Sequence, residues 1–150
     1  MNPSRQHEGR PIVAGEADGT ALVLQEPLSL AFGMSLETGR VADIRAPQLG
    51  ALITGQILVM PVGRGSSTAS TVLAEAIRLG VGPMAIVLRE VDEILAIGAI
   101  VARTLYGRGC PILVADTADF GTIRTGDRIR IRADGTYTIE PAVAAPKPGG

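Results

Sequence analysis

Gly63-Arg64-Gly65-Ser66-Ser67-Thr68-Ala69-Ser70 is a run of small or polar residues between two apolar segments, and it holds the side chains best suited to chemistry. Its glycines let backbone approach a ligand closely. Ser66 or Ser67 can cap a following helix, and free N–H groups at a helix start favour an anion. Arg64 adds a cation beside them. A Walker loop would need Gly-Lys-Ser/Thr, and this run has no lysine; a dinucleotide fingerprint would need a third glycine where Thr68 stands. The run therefore reads either as an ordinary capped turn or as an anion-binding loop of another kind.

Such a loop needs a strand before it and a helix after it. Ile57-Leu58-Val59-Met60-Pro61-Val62 is apolar and partly β-branched, as a buried strand requires. Val72, Leu73, Ala76 and Ile77 recur at helical spacing, with Gly80 as a stop after Arg78. Met84–Leu88 and Pro111–Ala115 are further strands. Between them Asp92 caps a helix running to about Tyr106, with Gly107 and Gly109 as stops. Ile94, Leu95, Ile97, Ile100, Val101 and Leu105 cover more than one face of that helix, so it is expected to be buried on two sides, with close packing at Gly98. This alternation predicts a parallel α/β sheet.

Flanking hairpins complete the expected fold. Ile12–Ala14 and Ala21–Leu24 read as strands joined through Asp18-Gly19, and Arg128–Arg132 and Thr136–Ile139 as strands joined through Asp134-Gly135. Arg128, Arg130 and Arg132 share one strand face, either a solvated edge or a partner surface. Leu28–Phe32 reads as a third strand, followed by a long loop from Gly33 to Gly50 that holds Glu37, Arg40, Asp43 and Arg45. Met1 to Arg10 is polar and expected to be a mobile tail, in which His7 has no assignable role; 142–150 is rich in Pro, Ala and Gly and expected to be disordered. One domain over 11–141 remains.

Composition narrows the function. The chain has 150 residues, 46% of them hydrophobic, which suits one folded domain. Aromatic residues make up 3% and the net charge is −1, so neither base stacking nor electrostatics gives a reason to expect nucleic acid. Cys110 is the sole cysteine and His7 the sole histidine. Cys110 reads as a core residue, and any cysteine-ligated iron–sulfur cluster or zinc site must come from another chain. No secretory signal or membrane-length run is apparent, which points to the cytoplasm. Lys147 is the only lysine among 14 basic residues, as a GC-rich bacterial coding bias would produce.

Several blocks together are similar to a known family. Pro61-x-Gly63-Arg64-Gly65-Ser66-Ser67-Thr68-Ala69-Ser70, Glu75–Arg78, Asp92–Ile94, Gly98–Ala102 and Leu105–Gly107, with Leu28–Leu30, Gly33, Thr38–Arg40 and Asp43 upstream, resemble the small, swivelling subunit of the aconitase X family. The resemblance covers roughly residues 10 to 120. It implies a single swivelling β/β/α domain with short parallel strands, two main helices and flanking hairpins. It further implies a heterodimer in which this domain caps a large catalytic subunit carrying an iron–sulfur cluster, whose iron takes the hydroxyl of a small hydroxy-acid substrate. Related aconitases carry Gly-Ser-Ser-Arg with the first serine as catalytic base. The alignment places Ser66 as the proton-abstracting base and Arg64, Gly65, Ser67 and Thr68 as substrate-binding residues. Thr68 stands where those enzymes have arginine, so that arginine's role does not transfer. The implied activities are dehydration of cis-3-hydroxy-L-proline, favoured by the bacterial composition, or of mevalonate 5-phosphate; a non-catalytic anion-binding or regulatory module is the alternative.

Electrostatics limit what Ser66 can do alone. No Ser–His–Asp arrangement is available. A helix terminus contributes about 0.3–2 kcal/mol toward an anion, and one pKa unit is about 1.4 kcal/mol. The loop therefore lowers a hydroxyl pKa by little more than one unit. Closure against a second, cationic and water-excluding surface is required. If Ser67 is the cap, its loss is expected to act mainly on stability.

Overall fold

The computed structural model describes residues 5–142. Eight strands form one mixed sheet in the order β1-β8-β7-β3-β4-β5-β6-β2. They are β1 (Gln6–Glu8), β2 (Arg10–Val13), β3 (Ala17–Val23), β4 (Ile57–Met60), β5 (Ala85–Leu88), β6 (Ile112–Val114), β7 (Arg128–Ile131) and β8 (Thr136–Glu140). The helices are α1 (Leu30–Gly33), α2 (Thr68–Leu79), α3 (Glu93–Tyr106) and α4 (Thr117–Phe120). β3 to β6 pair in parallel, as the strand–helix alternation predicts, and the remaining pairings are antiparallel.

All side chains of β4 and β5 are buried, because the sheet is covered on both faces. Leu58, Met60, Ile86 and Leu88 face α2 and α3, where they meet Leu73, Ala76, Ile77, Ala99 and Ala102. Ile57, Val59, Ala85 and Val87 face the other way, into a second core with Ile123, Ile129, Ile131 and Tyr137. The sheet thus curls as a half-barrel around this second core.

α2 ends at Gly80, whose φ of 76° is left-handed. Asp92 caps α3 by accepting from the Leu95 N–H at 3.1 Å. Gly98 brings α3 against α2: a Cβ there would lie 2.6 Å from the Ser70 carbonyl oxygen.

Five expectations need correction. Asp18-Gly19 makes no hairpin; both residues lie inside β3, whose first half pairs with β7 and whose second half pairs with β4. Leu28–Phe32 is not a strand, since Leu30–Gly33 forms the short helix α1. α3 is buried on one side only: Leu95, Ala96, Ala99 and Ala102 pack inward, while Ile97, Ile100, Val101 and Leu105 are exposed. β7 is an interior strand, and Arg128 makes a two-pronged contact with Asp18 at 2.8 and 3.1 Å while Arg130 reaches its carboxylate at 3.3 Å. Those arginines hold the Asp18 carboxyl below its ordinary range, the Arg128 hydrogen bond contributing most.

The polar amino-terminal segment is structured from Gln6 onward. β1 pairs with β8, His7 Nδ1 lies 3.0 Å from Asp119 Oδ1, and its ring stacks on Tyr137 at 5.1 Å. Burial, with the Asp119 carboxylate beside it, pushes the Tyr137 phenol up. The tail 142–150, expected to be disordered, lies outside the described residues except for Ala142, whose N–H donates to Asp127 Oδ1 at 3.2 Å.

Candidate functional site

Topology places three connections at one edge of the sheet. β3, β4 and β5 run parallel, so the segments leaving their carboxyl ends emerge together: Leu24–Ser29, Pro61–Ser67 and Arg89–Asp92. Open α/β sheets bind ligands at that edge. The Gly63–Ser67 loop lies there, and its residues from Arg64 to Thr68 are all exposed.

Local sterics explain the loop's two leading glycines. A Cβ on Gly63 would overlap Asp92 Oδ2, so this glycine lets the carboxylate that caps α3 sit beneath the loop. Gly65 has φ of 110°, a left-handed value costly for other residues. Its added Cβ would also lie 2.6 Å from Ser29 Oγ.

Ser66 Oγ accepts the Thr68 N–H at 3.3 Å, and the Ser66 carbonyl accepts the Ala69 N–H at 2.9 Å. Ser67 occupies the cap position, but its backbone is already helical (φ −55°, ψ −19°) and its side chain makes no capping bond. The capping half of the expectation is therefore corrected: the weak cap-like contact belongs to Ser66, not Ser67. Thr68 is the first residue of α2. Among the described residues, the N–H groups of Gly65, Ser66 and Ser67 donate no hydrogen bond within the chain, as an anion-accepting helix start requires.

Arg64 turns toward the loop that follows α1. Together with Glu26, Asp43, Arg45, Leu24 and Leu28 it lines an open depression of about 180 Å³. Arg45 leans on Asp43, its N–H donating to Oδ1 at 2.9 Å and its Nε lying 3.7 Å from that oxygen. Arg64 makes no ion pair among the described residues and is free to meet a ligand anion. The 33–50 loop is held by its own contacts: Arg40 pairs with Leu52 and donates to the Gly50 carbonyl at 3.0 Å, and Met34 pairs with Val41. Glu26 was absent from the sequence reading. Its only signal in the chain is position, two residues beyond the strand expected to end at Leu24.

Two very exposed apolar side chains stand on neighbouring segments. Phe32 on α1 is 82% exposed, and Ile44, between Asp43 and Arg45, is 85% exposed. Water-facing placement of both is unfavourable unless another surface covers them.

Cys110 cannot serve as a ligand or nucleophile where it stands. It is buried in the core between sheet and helices, and burial pushes its thiol from 9.0 up to about 12. Among the described residues no group of three or more His, Cys, Asp or Glu side chains is placed to hold a metal. This chain's own donors do not fit an iron–sulfur cluster. Modification of Cys110 by a thiol reagent at pH 8 is expected to be at least about 100-fold slower in the folded than in the unfolded chain. The raised folded-state value also sets a pH sign: this thiol's contribution to stability is complete below about 9 and is lost as pH rises toward about 12.

Fold and loop together define an α/β half-barrel that presents a glycine- and serine-rich loop with free N–H groups at the carboxyl edge of its parallel strands. The chain belongs to the aconitase X swivel-domain family, whose model matches residues 6–140. It is 48% identical over 103 residues to a cis-3-hydroxy-L-proline dehydratase of Pseudomonas aeruginosa, covering 69% of this chain but only 18% of that protein. It is 37% identical over 127 residues to the phosphomevalonate dehydratase small subunit of Thermococcus onnurineus, covering 85% of this chain and 92% of that one. The crystal structure of Thermococcus kodakaraensis aconitase X in its holo form superposes with a TM-score of 0.79 at 35% identity, over 91% of this chain and 99% of that chain. No helix among the described residues is long and apolar enough to cross a membrane.

Proposed function

We propose that this chain is the small subunit of a cytoplasmic two-subunit hydro-lyase of the aconitase X type, and that its substrate is cis-3-hydroxy-L-proline. The observation that carries the substrate is the mixed charge of the depression beside the loop. Glu26 and Asp43 line it together with Arg45 and Arg64. A zwitterionic amino acid suits both signs, its carboxylate meeting Arg64 and its ammonium an acidic side chain. A phosphate dianion would meet the same two arginines but find nothing to pair with Glu26 and Asp43, whose carboxylates repel it. The 48% identity to the Pseudomonas enzyme points the same way. Mevalonate 5-phosphate remains the second reading, because the relatives named for that substrate match over most of their own length.

In this reading Ser66 removes the proton beside the substrate carboxylate as general base. The free N–H groups of residues 65–67 and the start of α2 hold the carboxylate as negative charge builds on it, with Arg64 adjacent. The carbon–oxygen bond at the neighbouring carbon breaks with its electron pair going to oxygen, and a proton from a general acid of the large partner subunit completes the leaving water. An iron–sulfur cluster carried by that partner would supply Lewis-acid assistance to the departing hydroxyl, and the residues holding it would be the partner's. Three features support such a partner: the exposed loop, the uncovered Phe32 and Ile44, and the relatives named as small subunits.

Co-expression with a large aconitase X subunit, followed by assay of both substrates, tests this. Turnover of cis-3-hydroxy-L-proline by the pair, with none by this chain alone, is the expected result. Turnover by the chain alone would sink the split site. Preference for mevalonate 5-phosphate would reverse the substrate assignment. A pair that assembles but acts on neither would favour the regulatory-module alternative.

A further inference from the structure

Ser29 stands at the cap position of α1, with backbone angles suited to capping (φ −78°, ψ 115°), yet its side chain makes no cap bond. Its Oγ is sealed from solvent and has no hydrogen-bond partner. Gly65 lies beside it: a Cβ built there would lie 2.6 Å from Ser29 Oγ and 3.4 Å from Ser29 Cβ, so only a glycine leaves room for the hydroxyl at this point of the loop. The hydroxyl is therefore a close neighbour of the residue that immediately precedes Ser66. A buried, unpaired hydroxyl is a net cost to the fold, and alanine of nearly the same shape would remove that cost. Costs of this kind concentrate at sites where a second state uses the group.

We propose that Ser29 is a positioning residue for the Gly63–Ser67 loop: in the assembled, substrate-bound state its O–H donates to a backbone carbonyl of Arg64 or Gly65 and so fixes the approach of Ser66. This rests on the dehydratase reading above. Ser29 Oγ is closed to solvent, so its route to the substrate runs through the loop and not through direct contact. The carbonyls of Arg64 and Gly65 accept no backbone hydrogen bond among the described residues, so an acceptor is at hand. Donation to a carbonyl leaves the loop N–H groups free for the substrate anion.

The test is Ser29→Ala, measured both as the free chain and in the complex with the large subunit. The melting temperature of the free chain is expected to be unchanged or raised by about 2–4 °C. In the complex, kcat for cis-3-hydroxy-L-proline is expected to fall about 10- to 100-fold, with KM within about threefold, because a small misplacement of a reacting group is costly. A merely structural hydroxyl would instead lower the melting temperature. A kcat within about twofold of wild type overturns the proposal, and so does a loss of kcat that accompanies a lowered melting temperature. The wild-type complex run alongside tests the dehydratase reading separately, since its inactivity on both substrates would sink that reading alone. Amide exchange of residues 63–67 in the complex then reads the anchor directly: Ser29→Ala should speed it about tenfold, and unchanged exchange overturns the proposal.

Discussion

Ser66→Ala, assembled with the large subunit, is expected to lose at least about 100-fold in kcat while the complex still forms. A positioned general base contributes about 10²–10⁴-fold to rate, whereas a cap contributes about 0.5–2 kcal/mol of stability and nothing to chemistry. The contact that Ser66 makes as a cap is long, 3.3 Å to the Thr68 N–H, so its stability share lies at the low end of that range. Ser67→Ala is the internal comparison. Its hydroxyl makes no capping bond and its contribution to an anion site comes through the backbone N–H, which alanine keeps. A loss in kcat of no more than about tenfold is therefore expected for Ser67→Ala, with little change in melting temperature. Steady-state kinetics of the two variants decide the matter. Near-normal turnover by Ser66→Ala would remove that serine from the mechanism.

Gly98→Val is expected to destabilise the free chain by about 3 kcal/mol or more, at the upper end of overpacking costs. The obstacle is α2 backbone and cannot swing aside: an added Cβ would lie 2.6 Å from the Ser70 carbonyl oxygen, 3.1 Å from Ser70 Cα and 3.2 Å from Leu73 Cβ. Gly98→Ala separates the two terms. Alanine gains about 1 kcal/mol of helix propensity over glycine, which offsets part of the clash, so its loss should be the smaller. Thermal denaturation should show a fall of about 6–12 °C for valine. An unchanged melting temperature would mean that α2 and α3 can part without cost. Since the amino end of α2 carries the Ser66 loop, a shifted α2 should also reduce turnover in the complex.

The elements with strong local signals were readable from the chain. β4, β5 and β6 are short apolar runs between turn residues, α2 and α3 carry helical spacing with Gly80 and Gly107 as left-handed stops, and β7–β8 turns at Asp134-Gly135. Each depends on neighbours within a few positions. The errors arose where distant partners decided. Asp18-Gly19 has the residue types of a tight turn, but Asp18 is held by Arg128 and both residues pair with β7 inside β3. Leu28–Phe32 is too short for its period to separate strand from helix. The apolar spread around α3 predicted two buried faces, and only the packing showed that Ile97, Val101 and Leu105 face outward.

The sequence by itself determined that a strand runs into a glycine- and serine-rich loop and then a helix, and that this chain carries a single cysteine. It thereby determined the helix-start setting of Ser66, the base that the family resemblance implies, and one cysteine is too few to ligate an iron–sulfur cluster. Only the tertiary structure decided what surrounds that loop. Glu26, Ser29, Asp43, Arg45 and Asp92 come from three separate segments, and no spacing along the chain encodes their meeting with Gly63, Arg64 and Gly65. The parallel order of β3, β4 and β5 brings those segments to one edge. Parallel pairing joins strands far apart in sequence, so the charge pattern of the site and the unpaired hydroxyl beneath it exist only once the sheet has formed.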